Sequence, residues 1–140
     1  MKLSAVICSM SMATLVLLGS CKKENGGEIT VDDIVGNYMV NDTTSSLTGC
    51  DGGPAGDVDY DSYAVVITKK NDNTVTVSAF NHCTGSFDVS LSGESLVALL
   101  NEPCTGVKNV VGTISGNKIY FNYKFYTICE FNCRATAVKQ

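Results

Sequence analysis

The sequence predicts an all-β domain of about eight short antiparallel strands in an up-and-down meander, forming a small barrel or a two-sheet sandwich. Three observations predict it. Beyond residue 33, Val, Ile, Thr, Ser, Tyr, Asn and Gly dominate and Trp is absent, a composition of strands and turns. Apolar and polar residues alternate with period two in a series of short segments. Turn clusters separate those segments, among them Asn71-Asp72-Asn73, Ser92-Gly93-Glu94 and Ser115-Gly116-Asn117.

Taken in order, Thr30 to Ile34 suits one helical turn capped by Thr30. The first strand is expected at 36–41. A long loop rich in Thr, Ser, Gly and Asp follows, from Asn41 to Asp61. Strands are then expected at 62–70, 74–80, 85–91, 95–100, 107–114, 118–126 and 133–139. The fifth has a rival, because Glu94 to Asn101 also has the residues of a short helix. In the seventh, Ile119, Phe121, Tyr123 and Phe125 share one face.

In such a meander the connections alternate between two ends. The three short turns and the start of the first strand lie at one end. Asn41–Asp61, Asn81–Thr84, Asn101–Gly106 and Thr127–Asn132 lie at the other. Five cysteines, Cys50, Cys83, Cys104, Cys129 and Cys133, fall in or beside this second set. Five is odd, so two bridges leave one thiol over. The topology places Cys83 near Cys104, and Cys50 near Cys129 or Cys133. Cys129–Cys133 is the competing pair. A bridge from Cys50 to Cys133 would stabilise by up to about 4–5 kcal/mol on the chain-entropy model.

The first residues form a different unit. Lys2 is followed by an uncharged, largely apolar stretch from Leu3 to Leu18, then Gly19, Ser20 and Cys21. This is the layout of an export signal, too short and too rich in Ser and Thr for a membrane span. Leu18-Gly19-Ser20-Cys21 resembles the lipobox of bacterial lipoproteins. The resemblance implies that residues 1–20 are removed and that Cys21 carries the lipid; two or more acyl chains anchor stably. Residues 21–33 are then the lipidated start and a flexible tether, and 34–140 the β domain. Export makes disulfides the default for the remaining cysteines. The tether enters at the short-turn end, so the cysteine-bearing end is expected to point away from the membrane.

Removing Lys2 leaves 9 basic against 14 acidic residues, a net charge of −5. The basic residues are scattered, which argues against nucleic acid. Asp51, Asp57, Asp59 and Asp61 crowd the long loop. Alternate aspartates suit calcium, but the Glu and spacing of an EF-hand are missing. His82 is the only histidine, and no cysteine pair has tight zinc-ligand spacing. No nucleophile motif stands out. The sequence therefore predicts no enzyme, no metal and no cofactor.

Three further segments carry a second resemblance: Ile34-Val35-Gly36-Asn37-Tyr38, Val111 through Ile119, and Cys133-Arg134-Ala135-Thr136-Ala137. They resemble small lipocalin-like lipoproteins of Bacteroidota over most of 34–139. The resemblance implies a lipocalin-like barrel at the cell envelope, with the outer membrane expected. Lys22-Lys23-Glu24-Asn25 departs from the acidic run that directs such lipoproteins to the surface, which leaves the membrane face open. The expected function is binding of a protein or glycan through the disulfide-rich loops; the alternative is carriage of a small apolar ligand. Mass spectrometry of the membrane-bound protein should find acylated Cys21 as its first residue, and Cys21→Ala should abolish anchoring. An unacylated N-terminus elsewhere would refute the lipid reading.

Overall fold

The computed structural model describes residues 27–46, 58–80, 83–127 and 129–140. One short helix, α1 (Val31–Ile34), precedes eight strands. These are β1 (Gly36–Ser46), β2 (Val58–Asn71), β3 (Thr74–Ser78), β4 (Ser86–Ser92), β5 (Ser95–Ala98), β6 (Val107–Ser115), β7 (Lys118–Tyr126) and β8 (Glu130–Lys139). Each strand pairs with the next, and β8 pairs back on β1, so the expected meander closes as a barrel rather than as two sheets. All the pairings are antiparallel.

The strands run longer than expected where the closing strand lies. β1 continues to Ser46 and β2 begins at Val58, with Ser45 opposite Val58. β8 begins at Glu130, with Phe131 opposite Ser46. The apolar alternation stops near Asn41 because the next inward positions are polar, yet the ladder continues because β1 is paired on both sides. The loop therefore shrinks to 47–57, which lies outside the described residues together with Cys50, Asp51 and Asp57. The fifth segment is a strand and not a helix, pairing Leu91 with Leu96 and Leu96 with Gly112.

The short-turn end is plugged by α1. Thr30 donates from its backbone N and from Oγ1 to Asp33 Oδ2, at 2.8 and 2.7 Å, and so holds the first turn. Val31 and Ile34 face the core and are buried. Tyr38 Oη donates to the Ile34 carbonyl at 2.8 Å, and Lys139 Nζ to the Asp33 carbonyl at 2.8 Å. The last helical residues thus belong to the packed domain.

The described residues pack a core inside the barrel, and a break in strand phase places its central ring. Val75 and Val77 of β3 point inward. Strict alternation would put position 79 inward too and leave Phe80 outside. Ala79 instead adopts φ of +59°, a left-handed conformation that costs a non-glycine residue about 1 kcal/mol. The phase shifts, Ala79 is exposed, and Phe80 enters the core at 1% exposure. Its ring meets Tyr63, Phe87, Phe121 and Tyr123 edge-on, with centroids 6.1, 5.6, 5.4 and 5.1 Å away, the geometry aromatic quadrupoles favour. Gly112 makes room opposite: a Cβ there would sit 3.1 Å from the Phe121 ring.

A second phase break lies in β6. Asn109 takes φ of +54°, and the register with β7 shifts between Lys108 and Val111. This bulge lets Val107 and Val110 both face inward. Phe80→Ala should cost about 3–5 kcal/mol in chemical denaturation. Ala79→Gly should hold or raise stability by up to about 1 kcal/mol, whereas Ala79→Val should lower it. A stabilising Ala79→Val would contradict the phase-break account.

Candidate functional site

Among the described residues, the long-loop end holds a disulfide-stapled rim above a buried polar cluster. Cys83 and Cys104 are bridged, with Cα atoms 5.5 Å apart, as the meander topology required. Cys104 also pairs with Val107 as an isolated bridge. Leu99 N donates to the Asp88 carbonyl and Asn109 N to the Asn101 carbonyl, both at 3.0 Å. The segment from Leu99 to Gly106 is therefore pinned at both ends. It presents Leu99, Leu100 and Pro103 on a hollow shared with Ser86, Phe87 and Asp88, and both leucines are more than half exposed.

Opposite this apolar corner stands a charged network. Lys124 Nζ and Tyr126 Oη both donate to Glu130. Lys108 Nζ lies 4.9 Å above the Tyr126 ring and 3.5 Å from Glu102 Oε2. Hydrogen bonds from Lys124 and Tyr126 hold Glu130 below the usual carboxylate range. The same carboxylate raises Lys124 and Tyr126 above theirs. Gly106 permits the tight approach at φ of +82°, since a Cβ would fall 2.6 Å from the Tyr126 carbonyl oxygen.

Beneath the rim, β1 turns Asp42 inward at 2% exposure. Tyr123 Oη donates to Asp42 Oδ2, and Tyr63 Oη donates to the same oxygen at 3.1 Å. Cys133 lies on β8 opposite both Thr44 and Tyr123, with Sγ 3.8 Å from Thr44 Oγ1. Burial first, then the bond to Asp42, pushes the Tyr123 phenol far above its ordinary range. Burial likewise raises the Cys133 thiol. These groups keep their protons, so the cluster ties β1, β2, β7 and β8 together and the thiol is held in its unreactive form.

The structure thus separates the five cysteines. Cys133 is free and buried, so neither pairing that used it forms. Cys129 is disulfide-bonded, to a cysteine outside the described residues. Cys21, Cys50 and His82 also lie outside them. Of the aspartate run, Asp61 is exposed and Asp59 pairs in register with Thr44. No group of three His, Cys, Asp or Glu among the described residues could hold a metal. Sequence reasoning missed Asp42 by ending β1 at Asn41, one residue before it. The signal was available, since Asp42 continues the inward series of Tyr38 and Val40.

Tyr123→Phe removes a donor from a buried carboxylate and should cost about 1.5–3 kcal/mol. Tyr123 and Cys133 both bind their protons more tightly in the fold than in the unfolded chain. Their contribution is fully present below the unfolded thiol value of about 8.5 and is lost as pH rises beyond it. Cys133→Ala should therefore flatten the first part of the alkaline loss of stability, between about pH 8 and 10. An unchanged profile would show that the thiol titrates alike in both states.

No protein-family model and no curated protein sequence matches this chain.

Proposed function

We propose that this protein is a lipid-anchored lipoprotein of the bacterial cell envelope, expected at the outer membrane, that binds a protein or glycan through its disulfide-rich end and catalyses no reaction. One observation carries the choice over a lipocalin-like carrier of an apolar ligand: Phe80 occupies the barrel centre and contacts four other rings. Eight-stranded barrels have room inside for packed side chains or for one small ligand, and here side chains take it. Binding would then fall to the outer surface. The stapled rim offers preorganised apolar and charged groups, and a rigid surface binds with a smaller loss of entropy.

α1 lies at the end opposite the rim, and a tether from Cys21 would enter there. The rim would face away from the bilayer. Elimination then points to Cys50 as the partner of Cys129. Cys83 and Cys104 pair with each other, Cys133 is free, Cys8 would leave with the signal, and Cys21 would carry the lipid. Non-reducing peptide mapping should find Cys50–Cys129; a Cys50–Cys133 peptide would refute this.

Photocrosslinking in living cells tests the binding reading. A photoreactive phenylalanine at position 100 or 127, on the rim, should give defined adducts. The same residue at position 93 or 117, in the short turns, should give none. Adducts confined to the short-turn positions would overturn the assignment of the binding end.

A further inference from the structure

The outer wall of β6, β7, β8, β1 and β2, just below the rim, carries a row of outward-facing side chains. Register places Val111 opposite Asn122, Asn122 opposite Arg134, Arg134 opposite Thr43 and Thr43 opposite Tyr60. Adjacent strands are about 4.8 Å apart, so the row spans an arc of roughly 19 Å. Arg134 lines an open hollow of about 300 Å³ that Asn109, Asn122, Lys124 and Asn132 also border. The phase break at Asn109 helps form it, because the bulge interrupts the β6–β7 ladder at that point.

Three features of this row are chemical rather than structural. Arg134 is the only arginine in a chain of net charge −4, and it forms no ion pair among the described residues. Lys124 beside it is already matched by Glu130. A guanidinium with no ion-pair partner among the described residues offers its planar fork to a carboxylate. Tyr60, at the far end of the row, is 81% exposed, so its ring has little packing role and presents a flat apolar face to solvent. The asparagine amides supply donors and acceptors side by side, as a pair of hydroxyl groups requires.

We propose that this wall binds an acidic polysaccharide, with Arg134 holding a sugar carboxylate, the asparagines meeting ring hydroxyls, and Tyr60 stacking on a sugar face. A peptide fits the same charge less well. Peptides commonly bind sheets by adding a strand to an open edge, and this barrel is closed. The proposal deepens the binding reading above by naming a glycan class, and it moves the contact from the rim to the adjoining wall.

The test uses the mature, anchored protein in detergent and a fluorescein-labelled oligogalacturonate, with a neutral dextran oligosaccharide and poly-L-glutamate as comparisons. Oligogalacturonate should bind saturably and more tightly than either comparison. Arg134→Gln and Tyr60→Ala should each weaken it by at least about tenfold, while Tyr60→Phe retains it. Both positions are exposed, and unchanged circular dichroism and thermal midpoints would exclude misfolding. The proposal is overturned by absence of saturable binding. It is equally overturned if poly-L-glutamate competes as well while Tyr60→Ala has no effect, which marks a bare cation, or if dextran binds equally and Arg134→Gln has no effect. Rim crosslinks that persist after such a failure would leave the broader binding reading standing.

Discussion

Closure of the sheet is the constraint from which the rest of this structure follows. β1 is hydrogen-bonded to β2 on one side and to β8 on the other, so no strand edge remains to be covered or charged. Closure at eight strands also fixes the interior volume, which is small. Everything that points inward must fit that volume, and the described residues meet the demand with valines, isoleucines, alanines, Leu96, Gly112 and a cluster of rings. The two ends must then be sealed. α1 seals one with Val31 and Ile34. At the other, the seal is partly polar, because Asp42 and Cys133 lie between the aromatic cluster and the rim.

The polar seal depends on the bonds made to Asp42 Oδ2. A buried carboxylate is costly unless its oxygens are satisfied, and two phenols from different strands converge on Asp42. The arrangement ties the closing strand pair to β2 and β7, so loss of either phenol would be felt across the barrel. Exposed ion pairs elsewhere, such as Lys69–Asp32 at 3.1 Å, contribute far less because water screens them. The same cluster explains why Cys133 stays reduced beside an oxidised pair: it is buried on the inner face of β8, whereas Cys83 and Cys104 sit on the loops.

Much of this architecture was legible in the sequence. Period-two alternation located all eight strands, and the alternation of connections brought Cys83 and Cys104 to one end. The failures have a common physical origin. Alternation reports which positions are apolar, whereas pairing continues wherever the backbone can be hydrogen-bonded. β1 therefore runs past Asn41 through inward Asp42, and β8 starts before Cys133. Phase breaks are the second blind spot. Ala79 and Asn109 adopt left-handed conformations that residues other than glycine seldom take, and nothing in a hydrophobic pattern announces them. Yet they decide that Phe80 fills the core and that the wall beside Arg134 is indented. The polar cluster was partly legible: Tyr123 fell on the shared face of the seventh segment, while Asp42 did not stand out.

The proposal that binding falls on the outside of the barrel rests on the aromatic cluster packed in its interior. Titration with an environment-sensitive apolar probe such as cis-parinaric acid tests it most directly. The account predicts no saturable fluorescence increase for the native protein, and a gain of binding in Phe80→Ala, where removal of the central ring opens a cavity. Saturable one-to-one binding by the native protein, lost on filling the interior rather than on altering the surface, would contradict it.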